Sequence, residues 1–448
     1  MAAADSTTPS TAPLFPQLSG GGRRLAPQEV ARHQKARLQG AMVEAVARHG
    51  YAGTTLRELV ALAGVSKSTF YQHFASKEAC FLATFDEIIS QLSERVGEAY
   101  RQPGDFRERL LCSLGVFLEM AVDEPAAASL VAVESLTLGA AGVAHRERAS
   151  QGFELLIQQS FDHSPAPRQM SATTVRAVVG GIRGVVYRRL RAGQGKELRN
   201  LTGLLVEWAL GYQQPDSEQV QRATAVAALP GKGGTREPAA ADDGAPGWDE
   251  PPDSKRSRRE LGQRERIVRA AARVVVEQGY GSLSIPAISA AAGTSNQTFY
   301  EHFANKRDCF LAAFEILAGE ALRATMAVYD DAADEPEAAG ASMRAMLEHI
   351  ADNELFARLA FFELSTAGPV ALDRADQVMD GFTALIDRGP GAGEPDGKVP
   401  PVILEAIGSG IWAVIQHEIW HGRREQLPQL APELVTLAQA PRSRLIGR

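Results

Sequence analysis

Two segments of this chain, residues 55–74 and 284–303, carry polar side chains suited to hydrogen bonding with nucleic acid, beside a single glycine. Their sequences are TLRELVALAGVSKSTFYQHF and SIPAISAAAGTSNQTFYEHF, and nine of the twenty aligned positions are identical. The offset between the copies is 229 residues, as from Gly64 to Gly293. Lysine suits guanine, asparagine and glutamine suit adenine, and the threonine methyl suits thymine.

The polar residues after each glycine are the predicted base contacts. They are Lys67, Ser68, Thr69 and Gln72 in the first segment and Asn296, Gln297, Thr298 and Glu301 in the second. Residues near the start of a recognition helix are the ones that reach base edges.

Each segment predicts a helix, a tight turn and a second short helix, which is the layout of a helix-turn-helix DNA-binding motif. Gly64 and Gly293 suit a turn that needs positive φ. Phe70 and Phe74 are four residues apart, as are Phe299 and Phe303, so we expect these rings to face inward as core. We name residues 55–74 the first motif and residues 284–303 the second motif.

The repeat continues beyond the motifs at the same offset. Glu134 matches Glu363, Gly181-Ile182 matches Gly410-Ile411, and Gly193 matches Gly422. This register indicates duplication of a unit of about 200 residues, which is the size of one or two globular domains.

Helical spacing without alternating strand patterns predicts an all-α fold. The predicted order is a disordered N-terminal arm (1–27), a first DNA-binding domain (28–90), a first regulatory domain (91–212), a Pro/Gly-rich acidic linker (213–254), a second DNA-binding domain (255–319) and a second regulatory domain (320–440).

The distribution of charge bears on whether the chain can bind nucleic acid. The net charge is −7, but basic residues precede each motif and are suited to phosphate contacts. They are Arg23, Arg24, Arg32, Lys35 and Arg37 before the first motif, and Lys255, Arg256, Arg258, Arg259, Arg264, Arg266 and Arg269 before the second. The alternative is that they are solvated helix charges.

The other patterns point away from metal, membrane and enzyme chemistry. The three cysteines are unpaired in sequence, so we expect no metal site, disulfide or cofactor. We also expect no membrane span and a cytoplasmic, nucleoid-associated location. No P-loop, GxSxG, HExxH or dinucleotide fingerprint is present, so we predict that the protein is not an enzyme.

The segment Arg37–Phe85, with its AGVSKSTFYQHFASKE core, closely resembles the DNA-binding domain of TetR-family transcriptional regulators, and so does the second copy. The resemblance implies a three-helix DNA-binding domain, an α-helical ligand-binding domain and dimerisation through the last two helices. It also assigns phosphate contacts, to Thr55, Tyr71, His73 and Lys77 and to Ser284, Tyr300, His302 and Lys306.

The two motifs differ at their predicted base contacts. Lys67-Ser68 corresponds to Asn296-Gln297, and Gln72 corresponds to Glu301. The second motif therefore binds more weakly or recognises a different half-site, and we favour the second alternative.

Glycine clusters lie within one predicted helix of each regulatory domain, at Gly180, Gly181 and Gly184 and at Gly408 and Gly410. They indicate close helix–helix contact, with ordinary helix kinks as the alternative. Apolar and aromatic candidates for a ligand pocket fit core packing better, so no ligand site is assigned. They are Phe117, Met120, Met346, Phe361, Phe362, Trp412 and His417.

The sequence thus predicts a ligand-responsive transcriptional repressor with a possible small-molecule effector and a double-stranded DNA operator of unequal half-sites. Both motifs are expected to act in an intramolecular pseudo-dimer, with a homodimer as the alternative. The competing function is an interaction or structural protein with one weakened DNA-binding motif, and an enzyme is the remote one.

Overall fold

The computed structural model describes residues 14–15, 26–162, 170–213, 218–229, 255–387 and 399–439, with side chains from residue 262 onward in the 255–387 range. These residues fall into two compact units. The first comprises residues 1–164 and 185–207, and the second comprises residues 165–184 and 208–448.

The first copy of the repeat begins with seven helices that belong to the first unit. They are α1 (Pro27–Gly53), α2 (Leu56–Ala63), α3 (Lys67–His73), α4 (Lys77–Tyr100), α5 (Phe106–Asp123), α6 (Pro125–Ala132) and α7 (Gly139–Asp162), with a 3-10 turn at Glu134–Leu138. Helices α8 (Ala172–Arg191) and α9 (Thr202–Gly211) follow, and each contributes residues to both units.

The second unit continues with ten further helices among its described residues. They are α10 (Glu218–Ala228), α11 (Lys255–Gln278), α12 (Ile285–Ala292), α13 (Asn296–His302), α14 (Lys306–Asp330), α15 (Glu335–Asp352), α16 (Glu354–Arg358), α17 (Pro369–Asp387), α18 (Pro401–Trp420) and α19 (Ala431–Gln439). A π-helical turn occupies Leu359–Glu363. The described part of the chain contains no strand, which confirms the all-α prediction.

Local sequence signals explain the helix-turn-helix geometry. Thr55 caps α2 by accepting a hydrogen bond from Glu58 N, and Ser66 caps α3 by accepting from Thr69 N. Between them Gly64 lies at φ 58° and ψ 39°, the left-handed conformation that ends α2. The second motif repeats this geometry, with Gly293 at φ 64° and ψ 42°.

The paired phenylalanines hold each recognition helix in place. Phe70 is fully buried and Phe74 is 5% exposed, while Phe299 and Phe303 are 0% and 6% exposed. The prediction that these rings face inward is confirmed. They fix α3 and α13 against the core of their own domain and leave the remaining faces for contact with DNA.

The structure corrects the predicted arm and linker. Leu14, in the predicted disordered arm, is buried in the first unit, where its carbonyl accepts a hydrogen bond from Gln91 Nε2 at 3.3 Å. Within the predicted linker, Glu218–Ala228 forms α10, with Val220, Ala223 and Ala227 buried. These apolar residues recur at helical spacing inside a polar stretch, and they pack α10 onto α15 and α19.

The expectation of no membrane span stays a prediction, because two candidates exist among the described residues by length and composition. Two helical stretches, Pro125–Phe161 and Pro401–Trp420, are long and apolar enough by composition to span a bilayer. The first is interrupted by the 3-10 turn and by Gly139 at φ 56°. The second is α18, and 67% of its most apolar window is buried inside the protein, as in the core helix of a globular domain.

Within the second unit, α8 and α18 approach each other at their glycines. A Cβ atom built on Gly181 would lie 2.5 Å from the Ala406 carbonyl oxygen and 2.6 Å from the Trp208 ring. One on Gly410 would overlap the Ala177 carbonyl. Close helix–helix contact, rather than a kink, therefore accounts for the glycine clusters.

Candidate nucleic-acid interface

The recognition helices expose most of the predicted base contacts. Lys67, Ser68 and Gln72 are exposed on α3, and Asn296, Gln297 and Glu301 are exposed on α13. The structure thus brings each set together on the open face of one short helix. Their contacts with bases stay predictions.

The two threonines in these sets are placed differently. Thr69 is partly buried, and its hydroxyl lies 2.9 Å from the Ser66 hydroxyl; Thr298 and Ser295 repeat this pair at 3.0 Å. The hydroxyls therefore support the N-caps of α3 and α13. This leaves the methyl groups, which were assigned to thymine, as the groups available to a base.

Tyrosine, threonine and serine hydroxyls lie at the surface, as phosphate contact requires. Tyr71 and Tyr300 are 52% and 60% exposed, among the most exposed large hydrophobic side chains of the described residues. Exposed Ser284 caps α12 by accepting from Ala287 N, just as Thr55 caps α2, and both hydroxyl hydrogens remain available for a phosphate.

The predicted histidine and lysine contacts are partly engaged inside the domain. His73 Nε2 lies 3.1 Å from Gln34 Oε1, and His302 is half-buried at the equivalent position. Lys77 Nζ donates to the carbonyls of Tyr51 and Thr54 at 2.8 and 2.9 Å, and Lys306 Nζ donates to the Leu283 carbonyl at 2.7 Å.

Lys77 is therefore also a structural group. It lies 4.2 Å from the centre of the Tyr51 ring, and burial lowers the pKa of its ammonium. Two of its three N–H donors fasten the start of α4 to the end of α1, so one donor is left for a phosphate.

The basic residues ahead of the motifs serve several purposes. Arg32 and Lys35 are exposed on α1, whereas Arg37 donates to the Gly64 carbonyl at 3.3 Å and supports the turn. Arg264 lies over the Phe303 ring, and Arg269 pairs with Glu265 and Glu320. Arg266 is exposed. Arg23, Arg24 and the side chains of Lys255, Arg256, Arg258 and Arg259 lie outside the described residues.

A carboxylate from the regulatory part fastens each DNA-binding domain, a role that sequence reasoning missed. Glu134 Oε2 accepts a hydrogen bond from Tyr51 N at 2.8 Å, and Glu363 Oε2 accepts one from Tyr280 N at 2.9 Å. Gly50, at φ 67°, breaks the helix just before Tyr51, so this N–H has no helical acceptor. The identity of Glu134 and Glu363 across the repeat was the available signal.

Both matches to the family model "Bacterial regulatory proteins, tetR family" fall on the motifs, at residues 41–84 and 267–313. The activator FasR of Mycolicibacterium smegmatis is 34% identical over 103 residues, 22% of this chain and 46% of that protein. The repressor AcnR of Corynebacterium efficiens is 40% identical over 52 residues, 12% of this chain and 28% of that protein. The chain thus spans less than half the length of either relative.

Two solved structures are similar to part of this chain. FadR of Bacillus subtilis, determined in complex with stearoyl-CoA, gives a TM-score of 0.37 at 18% identity over 39% of this chain and 96% of that one. Reduced NemR of E. coli gives 0.33 at 18% identity over 38% and 94%.

The fold and the two exposed recognition helices define a tandem helix-turn-helix protein. Each of these helices lies within a segment that matches the TetR-type DNA-binding domain, so the chain is similar to TetR-family regulators at two places.

Proposed function

We propose that this chain is a sequence-specific transcriptional regulator, a ligand-responsive repressor that binds double-stranded DNA in the cytoplasm. The observation that carries the proposal is the pair of exposed polar recognition helices in TetR-type domains. Positioned donors supply affinity through phosphates and specificity through base edges. FasR is named as an activator and AcnR as a repressor, so transcription from a promoter containing the selected operator decides the sign.

Selection of bound fragments from genomic DNA tests the proposal. Several phosphate contacts per motif should make affinity fall steeply with salt concentration. Tyr71→Phe should weaken binding on all sequences alike, whereas Lys67→Ala should alter base preference within one half-site. Selection of no specific fragment at moderate salt would refute the proposed function, and uniform weakening by both variants would refute the assignment of base contacts.

The operator is expected to have unequal half-sites. Lys67 and Ser68 occupy the exposed start of α3, where α13 presents Asn296 and Gln297. Lysine favours guanine and the amides favour adenine, so the two halves should differ at the base pairs they face. A selected consensus with two identical inverted halves would contradict this, because the differing side chains would then not touch bases.

We further propose that the two copies pair within one chain, as a pseudo-dimer. The contacts between α8 and α18 are reciprocal in repeat numbering. Gly181 faces Ala406 and Gly410 faces Ala177, and these two pairs exchange under the 229-residue offset. Gly180 facing Ala413 and Gly184 facing Ser409 exchange in the same way. Reciprocal contact of this kind is the signature of a two-fold interface.

The length of chain between the copies is compatible with internal pairing. Residues 230–254, between α10 and α11, can span at most roughly 80–90 Å. Tethering raises the local concentration of the second copy to about millimolar, which favours pairing within the chain. The protein should then be a 48.0 kDa monomer that places its motifs one helical turn apart on a single operator.

Light scattering of the free protein and of its DNA complex tests the pseudo-dimer. Gly181→Val should separate α8 from α18 and lower operator affinity toward that of a single half-site. Gly152→Val is the control, because a Cβ there meets nothing within 4 Å. A stable dimer with four motifs would instead establish the homodimer.

A further inference from the structure

A cavity with an empty volume of about 900 Å³, part of it open to solvent, lies within the second unit. It is lined by residues of α14, α15, α16, α17, α18 and α19 and of the π-helical turn. Met346, Phe361 and Trp412 line it; the sequence analysis named them as pocket candidates that fit core packing better. The space open to the centre of a water molecule inside it is about 90 Å³, several times what one water molecule needs.

The lining is apolar and contains no charged side chain among the described residues. A carboxylate or phosphate placed there would lose its hydration without gaining a cationic partner, which is strongly unfavourable. The chemistry of the lining therefore favours an uncharged molecule.

One polar group in the lining lacks a partner. Gln439, at the end of α19, is 6% exposed, and its Oε1 accepts no hydrogen bond from the described residues. Other polar side chains of the lining are engaged within their own helices, Thr325 donating to the Ala321 carbonyl and Ser342 to the Ala339 carbonyl. A buried acceptor without a donor is costly, and a ligand hydroxyl or N–H would satisfy it.

The π-helical turn that lines the cavity also contacts the second DNA-binding domain. Phe361 stacks on Trp412 with ring centres 3.9 Å apart, and the Phe361 carbonyl accepts from Gln416 Nε2 at 2.7 Å. Two residues later in the same π-helical turn, Glu363 fastens Tyr280 N. π-Helical turns often mark functional sites, because the extra residue reorients side chains and backbone groups.

We infer that this cavity binds an uncharged, predominantly apolar molecule that donates one hydrogen bond to Gln439, and that its occupation acts through Phe361 and Glu363 on the second motif. The inference rests on the proposed ligand response and specifies its site. The first copy has Ala132, Arg183 and Leu210 at the positions of Phe361, Trp412 and Gln439. The effect is therefore assigned to the second copy.

Displacement of the neutral dye Nile red from the full chain tests the ligand class, with dodecan-1-ol and dodecanoate as competitors at pH 7. Dodecan-1-ol should displace the dye at a concentration at least about tenfold below that of dodecanoate. Gln439→Leu, which introduces the residue of the first copy, should raise the dodecan-1-ol concentration needed by about three- to tenfold. Dye binding itself should not change, because Nile red donates no hydrogen bond.

Gln426→Leu, at an exposed glutamine of the same unit, is the matched control and should leave all three compounds unaffected. Three results would overturn the ligand assignment. They are equal competition by the alcohol and the carboxylate, no effect of Gln439→Leu, and no binding of the dye and the alcohol. The rate of hydrogen exchange at the Tyr280 amide should rise when dodecan-1-ol is added, while the rate at Tyr51 stays constant. An unchanged exchange rate at Tyr280 would overturn the proposed connection through Phe361 and Glu363. DNA binding without ligand is measured separately, so failure here leaves the proposed function standing.

Discussion

Removing the carboxylate that fastens the first DNA-binding domain should loosen that domain measurably. In Glu134→Ala the Tyr51 N–H loses an acceptor 2.8 Å away, and the Gly50 break leaves no helical carbonyl to replace it. A hydrogen bond to a charged group contributes about 1.5–3 kcal/mol. Because Glu134 is only partly buried, water recovers some of this, and we expect a loss of about 1.5–2 kcal/mol.

Hydrogen exchange of the peptide containing Tyr51 measures this loss directly. A decrease of 1.5–2 kcal/mol in opening free energy raises the open population by about 10- to 30-fold. Glu134→Gln keeps an acceptor oxygen and should show a smaller effect, and Glu119→Ala, at an exposed glutamate of α5, should show none. Glu363→Ala should produce the equivalent change at Tyr280 and leave Tyr51 unaltered.

Each variant should weaken DNA binding at one half-site only, because each carboxylate holds only its own DNA-binding domain. Glu134→Ala should weaken binding to the half-site of the first motif and Glu363→Ala binding to the other. Tyr51 exchange that stays within about 0.5 kcal/mol of the unmodified protein in Glu134→Ala would show that the contact does not hold the domain, and the reasoning would fail.

Three further outcomes follow from the geometry. Gly293→Ala should cost about 1 kcal/mol of unfolding free energy for its left-handed backbone. Gly64→Ala should cost about 0.5 kcal/mol more, because the new Cβ displaces the flexible Arg37 guanidinium from its exposed hydrogen bond to the Gly64 carbonyl; urea denaturation compares the two variants. Burial raises the pKa of the Cys80 and Cys309 thiols to about 12, so thiol-specific titration of the native chain should detect exposed Cys112 alone and all three thiols after unfolding. Because the predicted phosphate contacts are divided equally between the motifs, removing the phosphate-contacting side chains of one motif should about halve the salt dependence of operator binding.

Local sequence determined the DNA-binding domains. A capping hydroxyl, an αL glycine and phenylalanines four residues apart each act within a few residues, so the helix-turn-helix geometry could be predicted twice from the printed sequence. The repeat then identified equivalent positions far apart in the chain. It flagged Glu134 and Glu363 as equivalent, but it could not supply a role for them.

Tertiary structure decided what depends on side chains that are distant in sequence. Glu134 reaches Tyr51 across 83 residues, and Lys77 reaches the carbonyls at the end of α1 across more than 20. No local sequence pattern predicts either of these contacts. Helix α10 could not be predicted from its polar, Pro/Gly-rich sequence. Its few small apolar residues are buried only because the helix packs against α15 and α19.

The cavity shows the same limit most clearly. Phe361 and Trp412 have the composition of core residues, and only the packing of several helices decides whether the space beside them is filled. Sequence determines which groups a segment can offer through local backbone preferences. Which of those groups meet, and where they leave room, is fixed by close packing between segments that are far apart in the chain.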